Sequence, residues 1–144
     1  MPELYPQNGT YIIYNRVQSP QGQQLALTFN GDRQDITGTP LDVNNTKQHW
    51  VLRRYGPDRF GGSVYELKPV DNHNLEAGGS NKGTIITLPV GAYVFSIYQD
   101  DTGYLIKNGN RQYPWTFSPA SDGSPVTSVS DSVDEKQRWW FRPV

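Results

Sequence analysis

Two histidines, two adjacent pairs of acids and no cysteine are what this chain offers to metal, acid–base or nucleophilic chemistry. A zinc site shows in sequence as imidazoles spaced i,i+4 or as the HExxH frame, because the ligands must converge on one ion. His49 and His73 have neither pattern and lie 73 − 49 = 24 residues apart, one expected to cover a strand and the other to sit in a loop. Asp100-Asp101 and Asp134-Glu135 stand side by side in turn-like surroundings, where carboxylates are ordinarily solvated. The lack of cysteine excludes a disulfide framework, a thiolate nucleophile and Cys-containing metal sites. No P-loop, GxSxG elbow or dinucleotide fingerprint is present. The sequence predicts no catalytic residue, no metal and no cofactor: the protein is read as a binding protein rather than an enzyme.

The elements that would have to position a binding site are organised by a repeat. Trp50, Phe95 and Trp139 recur at intervals of 95 − 50 = 45 and 139 − 95 = 44 residues. Each lies among apolar or aromatic residues: Trp50 before Val51-Leu52, Phe95 within Ala92-Tyr93-Val94-Phe95-Ser96-Ile97, and Trp139 before Trp140-Phe141. Large aromatics among such neighbours read as strands meeting in one core. A period of this length implies copies of one unit, since a single short unit cannot bury its own apolar face.

Along the chain, Thr10–Asn15 and Leu25–Phe29 form an expected hairpin, Ile36–Leu41 a third strand and Trp50–Tyr55 a fourth. Ser63–Lys68 alternates as a half-buried strand, Asp71–Asn74 and Gly78–Gly83 punctuate the second unit, and Thr84–Leu88 precedes the strand of Phe95. Gly103–Lys107, Trp115–Phe117 and Val126–Val129 repeat the scheme in the third unit. With 14 Gly and 11 Pro and no useful helical period, the chain is expected to be all-β. The three-fold member of that class is the β-trefoil. The expectation is one domain over 1–144, with three four-strand repeats of approximately 9–54, 55–99 and 100–144 related by pseudo-threefold symmetry.

Composition narrows the partners. A chain of 144 residues can bury a real core, and a net charge of −1 with both signs scattered predicts neither a nucleic-acid footprint nor a basic membrane-binding face. The N-terminal stretch has no secretory pattern and no apolar run is long enough to span a bilayer, so membrane insertion is not expected and a cytoplasmic location is. Asn8-Gly9-Thr10 and Asn44-Asn45-Thr46 match the glycosylation acceptor pattern but read as turn residues.

Gly9–Val17 and Leu25–Thr28, with Ser19-Pro20 between them, resemble the fungal (mushroom) β-trefoil lectin family, in the form of the ink-cap lectin that binds core α1,3-fucosylated chitobiose. The likeness continues through Pro40-Leu41-Asp42, Trp50–Arg53, Leu88-Pro89, Tyr93-Val94-Phe95, Gly103-Tyr104 and Trp139, and so covers nearly the whole chain. It implies a sugar site in the second unit that uses two tryptophans and a tyrosine as stacking surfaces. Tyr93 matches the tyrosine, Phe95 replaces one tryptophan, Gly79 stands at the other, and an asparagine pair is replaced by Gly91-Ala92. Weaker binding or a changed sugar is the expectation.

Two partners of different class follow. Sugars present apolar C–H faces for stacking and hydroxyls for amides, so glycans or glycoproteins are expected at Gly79, Ser80, Asn81, Leu88, Tyr93, Val94 and Phe95, with fucose or N-acetylglucosamine as the sugars and fungal defence as the role. The alternative is a trypsin-like serine protease, inhibited by the loop Asn30–Gln34. There Asn30, Gly31 and Asp32 would present Arg33 to a carboxylate pocket, with Arg53, Arg54 and Arg59 as rivals. The oligomeric state cannot be read from the sequence.

Overall fold

The β-branched and aromatic runs form strands throughout the computed structural model, which describes residues 6–117, 119–129 and 135–144. Asp134 of the second acid pair lies outside them. The strands are β1 (Gly9–Asn15), β2 (Leu25–Thr28), β3 (Thr37–Pro40), β4 (Trp50–Pro57), β5 (Ser63–Pro69), β6 (Leu75–Gly79), β7 (Ile85–Pro89), β8 (Phe95–Asp100), β9 (Gly103–Asn108), β10 (Trp115–Phe117), β11 (Ser124–Ser128) and β12 (Trp139–Pro143). Among the described residues the only helical pieces are two 3-10 turns, Thr46–Gln48 and Glu135–Gln137, which precede β4 and β12. No described helix is long and apolar enough to cross a membrane.

Six strands close on themselves. β1 pairs with β4, β4 with β5, β5 with β8, β8 with β9, β9 with β12, and β12 returns to β1, every pair antiparallel. Closure leaves these strands no edge on which another chain could pair. The other six form three hairpins, β2–β3, β6–β7 and β10–β11. The hairpins also touch one another: β11 pairs with β3, Asp35 bridges Ile86, and Thr84 bridges Thr127. In chain order, each consecutive set of four strands gives its first and last strand to the barrel and its middle two to a hairpin.

The core lies between barrel and hairpins. Trp50 and Trp139 are 0% exposed and Phe95 is 7% exposed, and each is the first residue of its barrel strand. Trp50 Nε1 donates to Leu27 O at 2.9 Å and Trp139 Nε1 to Trp115 O at 3.1 Å, so each indole is satisfied by the second strand of its own set. Phe95 lacks a ring N–H and packs edge-on against Trp115, centroids 4.8 Å apart, while Phe117 does the same against Trp139 at 4.9 Å. Gly38 makes this possible: a Cβ there would stand 2.4 Å from Phe117 Cζ.

Three sequence readings change. Gly78-Gly79 is not loop but the end of β6, in register with Ile86 and Ile85. Tyr93 is not on a strand with Phe95: β8 begins at Phe95, and residues 91–94 are connection. Asp100 is not a freely solvated turn acid. Burial alone would raise its pKa, but hydrogen bonds from the Thr102 hydroxyl and N–H and the nearby Arg138 guanidinium, 3.1 Å away, hold it below the usual carboxylate range.

Candidate glycan-binding surface

The β6–β7 hairpin and the connection from β7 to β8 make the surface in question. Along β6, Ala77 belongs to the core cluster, so its neighbours Glu76 and Gly78 point to the opposite face. That face is covered by Tyr93. A Cβ on Gly78 would lie 3.0 Å from Leu88 Cδ1 and 3.2 Å from Tyr93 Cγ, so the bare backbone of Gly78 is the floor on which the tyrosine ring rests. Tyr93 itself is 41% exposed.

Beneath the connection lies Glu76, 0% exposed. Its Oε1 accepts hydrogen bonds from the N–H groups of Gly91 and Tyr93, both at 2.9 Å. Ala92 between them has φ 62, the left-handed region that disfavours residues with a Cβ. Val90 N–H donates to Asn74 O at 3.1 Å, so the connection is tied at both ends to the chain around β6.

The predicted residues fall into three groups. Leu88, half-buried, and Tyr93 are brought together over Gly78. Gly79 is exposed with nothing within 4 Å of a would-be Cβ, and Asn81 is exposed in the turn beyond it. Ser80 holds that turn, bonding Thr84 Oγ1 at 2.8 Å and accepting from Lys82 N–H at 3.1 Å and Thr84 N–H at 3.2 Å. Val94 is half-buried, and Phe95 belongs to the core cluster rather than to the surface. The sequence reading did not single out Glu76, Gly78 or the role of Gly91. Strand alternation around Ala77 was the signal that could have found the first two.

The loop from Asn30 to Gln34 lies against the other strand of the same hairpin. Arg33 N–H donates to Thr87 O at 2.7 Å and Thr87 N–H to Gln34 O at 3.2 Å, while Asn30 Nδ2 donates to Asp35 O at 2.9 Å. Gly31 and Arg33 have positive φ, 118 and 59, and the Arg33 guanidinium turns back onto Asp32 Oδ2 at 2.6 Å. His49 Nε2 meets Val43 O at 2.9 Å, and His73 is exposed in the turn before β6. Among the described residues no three His, Asp or Glu are placed to share a metal ion.

A closed six-strand barrel capped by three hairpins is the β-trefoil architecture, and solved structures share it. The chain is similar to the agglutinin of Rhizoctonia solani, with a TM-score of 0.71, 18% identity, and coverage of 98% of this chain and 99% of that one. It is similar to the designed 3-fold symmetric protein ThreeFoil, with a TM-score of 0.73, 18% identity, and coverage of 94% and 99%. Polyporus squamosus lectin, solved bound to the human-type influenza-binding epitope Neu5Acα2-6Galβ1-4GlcNAc, gives 0.72 at 16% identity, covering 96% of this chain and 50% of that one. A mosquitocidal holotoxin gives 0.77 at 13% identity over 96% of this chain, which spans only 18% of the toxin's length. No curated protein matches in sequence. The model of the CCL2 lectin-like family matches residues 9–139, and the chain belongs to that family.

Proposed function

We propose that the protein is a lectin that binds glycans through its second four-strand set, with Tyr93 as the stacking surface. The observation that carries this is a difference between the sets at one position, two residues before the central aromatic. It is Gln48 in the first and Gln137 in the third, 0% and 1% exposed, whereas in the second it is Tyr93, 41% exposed. Gln48 is spent on the fold: its Oε1 accepts from Asp42 N–H at 2.9 Å and its Nε2 donates to Pro40 O at 3.0 Å. A half-exposed ring with a hydroxyl handle is what a sugar's C–H face and hydroxyls require.

Membership in a lectin-like family supports the carbohydrate class. We read the sugars as fucose or N-acetylglucosamine, the three four-strand sets as copies around a pseudo-threefold axis, and the role as defence from a cytoplasmic store. Affinity should be modest, because Gly79 offers no second ring and Gly91-Ala92 no side-chain amides, and each sugar hydroxyl left unpaired costs about 1–3 kcal/mol. The inhibitor reading has less support. A substrate-like residue enters a protease cleft extended, and Arg33 is left-handed with its guanidinium engaged by Asp32.

A glycan array probed with the wild-type protein and with Tyr93→Ala tests the reading. Signal on fucosylated or N-acetylglucosamine glycans that disappears in the variant supports it. An empty array, or signal that Tyr93→Ala leaves intact, overturns it.

A further inference from the structure

We infer that Glu76 is the positioning residue of this surface: its buried carboxyl group holds the 91–93 turn so that Tyr93 is presented outward. The inference rests on the lectin reading for its functional consequence, but its structural part concerns the free protein.

Glutamate is among the side chains least often fully buried, and removing its carboxyl group from water is unfavourable unless hydrogen bonds replace the lost hydration. Glu76 is 0% exposed, yet only Oε1 is bonded, and Oε2 is buried without a partner. What Oε1 receives is specific: the N–H groups on either side of Ala92. A left-handed residue turns successive main-chain N–H groups toward one side and so forms a small anion-binding concavity. Here the concavity is filled from within the chain. The φ of 62 at Ala92 is unfavourable for a residue with a Cβ, and the two bonds to Glu76 are what compensate it.

The consequence is seen by comparison with the first set. There the residue two before the central aromatic uses its own side-chain amide to fix the incoming connection, through Asp42 N–H. In the second set a residue on β6 fixes the connection instead, by the main-chain N–H of Gly91 and of Tyr93 itself. The side chain at 93 is thereby released from structural work, and its ring lies over Gly78 rather than in the core.

The test compares wild type with Glu76→Met, which fills the volume but removes the acceptor, and Glu76→Gln, which keeps a side-chain oxygen for both N–H groups. In the free proteins, NMR reads the nuclear Overhauser contact between the Tyr93 ring and the Gly78 α-protons, and the amide shifts of Gly91 and Tyr93. Titration with the glycan selected on the array reads affinity. Glu76→Met should lose the ring contact and bind at least about tenfold more weakly, while Glu76→Gln should keep the contact and bind within about threefold of wild type. A Glu76→Met protein that keeps both contact and affinity overturns the inference, as does a folded Glu76→Gln protein that loses the contact. Should Glu76→Met not fold, the Glu76→Gln outcome decides. Wild type that binds no glycan ends the lectin reading while the ring contact still tests Glu76.

Discussion

The ring of Tyr93 rests on Gly78 so closely that a Cβ there would stand 3.2 Å from Tyr93 Cγ and 3.0 Å from Leu88 Cδ1. Glycine at 78 therefore sets the height of the ring, and Gly78→Ala should lift or tilt it. Overpacking of this kind costs about 1–3 kcal/mol where the neighbours cannot give way. Glycan affinity should fall by about tenfold with a smaller loss of thermal stability, and unchanged affinity would show that the ring's seat is irrelevant to binding.

Gly79 is the converse case, exposed and with nothing within 4 Å of a would-be Cβ. A side chain there would not stand beside Tyr93: by the alternation of β6 it shares the side of Ala77, opposite the face on which the Tyr93 ring rests. Gly79→Ala should therefore leave the hairpin folded and glycan affinity within about twofold of wild type, unlike Gly78→Ala. Calorimetric titration against the same glycan checks it, and a loss of about tenfold or more refutes it.

Trp139 is 0% exposed, its indole N–H donates to Trp115 O, and Phe117 meets its face edge-on. Trp139→Ala should destabilise the protein by about 3–5 kcal/mol in denaturant unfolding, the range for buried Trp truncation. A loss under about 1 kcal/mol would mean that the barrel and hairpins are not joined through this residue.

Asp58 clasps two loops. Its side chain is 0% exposed; it accepts from Ser96 Oγ at 2.7 Å, from the N–H of Phe60 at 2.8 Å and of Gly62 at 2.7 Å, and from Arg111 Nη2 at 2.7 Å. Arg111 in turn stacks 3.8 Å from the Tyr98 ring centroid. Burial alone would raise the Asp58 pKa, but these hydrogen bonds lower it from 3.8 to about 2. A depressed folded-state value stabilises the fold above 3.8 and that stabilisation is lost as pH falls toward 2, about 2 kcal/mol in all. Urea midpoints measured from pH 5 to pH 2 should fall steeply for wild type and less so for Asp58→Asn, whereas parallel curves would contradict the assignment.

Much of the fold was legible because it depends on periodicity. The near-equal spacing of Trp50, Phe95 and Trp139 marked three sets of four. Pairing between the hairpins was not legible, since β11 meets β3 across most of the chain and no local signal encodes a contact of that range. Of the candidate surface, the residues Tyr93 and Leu88 were legible, but not the contact they make over Gly78. Gly78-Gly79 carries a turn signal, yet β6 uses glycine at 78 because the Tyr93 ring and Leu88 leave little space for a Cβ. Tyr93 lies within a run of β-forming residues, and only the Ala92 turn, held by a glutamate 17 residues upstream, takes it off the strand. A glutamate reads as surface in any sequence, so its burial could not be anticipated from type alone.

Glycan binding on the second strand set can be mapped by NMR chemical shifts with the array-selected glycan. Perturbed amides should cluster on Gly78, Gly79, Asn81, Leu88 and Gly91 to Val94, with the first and third sets unchanged. Perturbations centred on residues around Gln48 or Gln137, with Tyr93 silent, would contradict it.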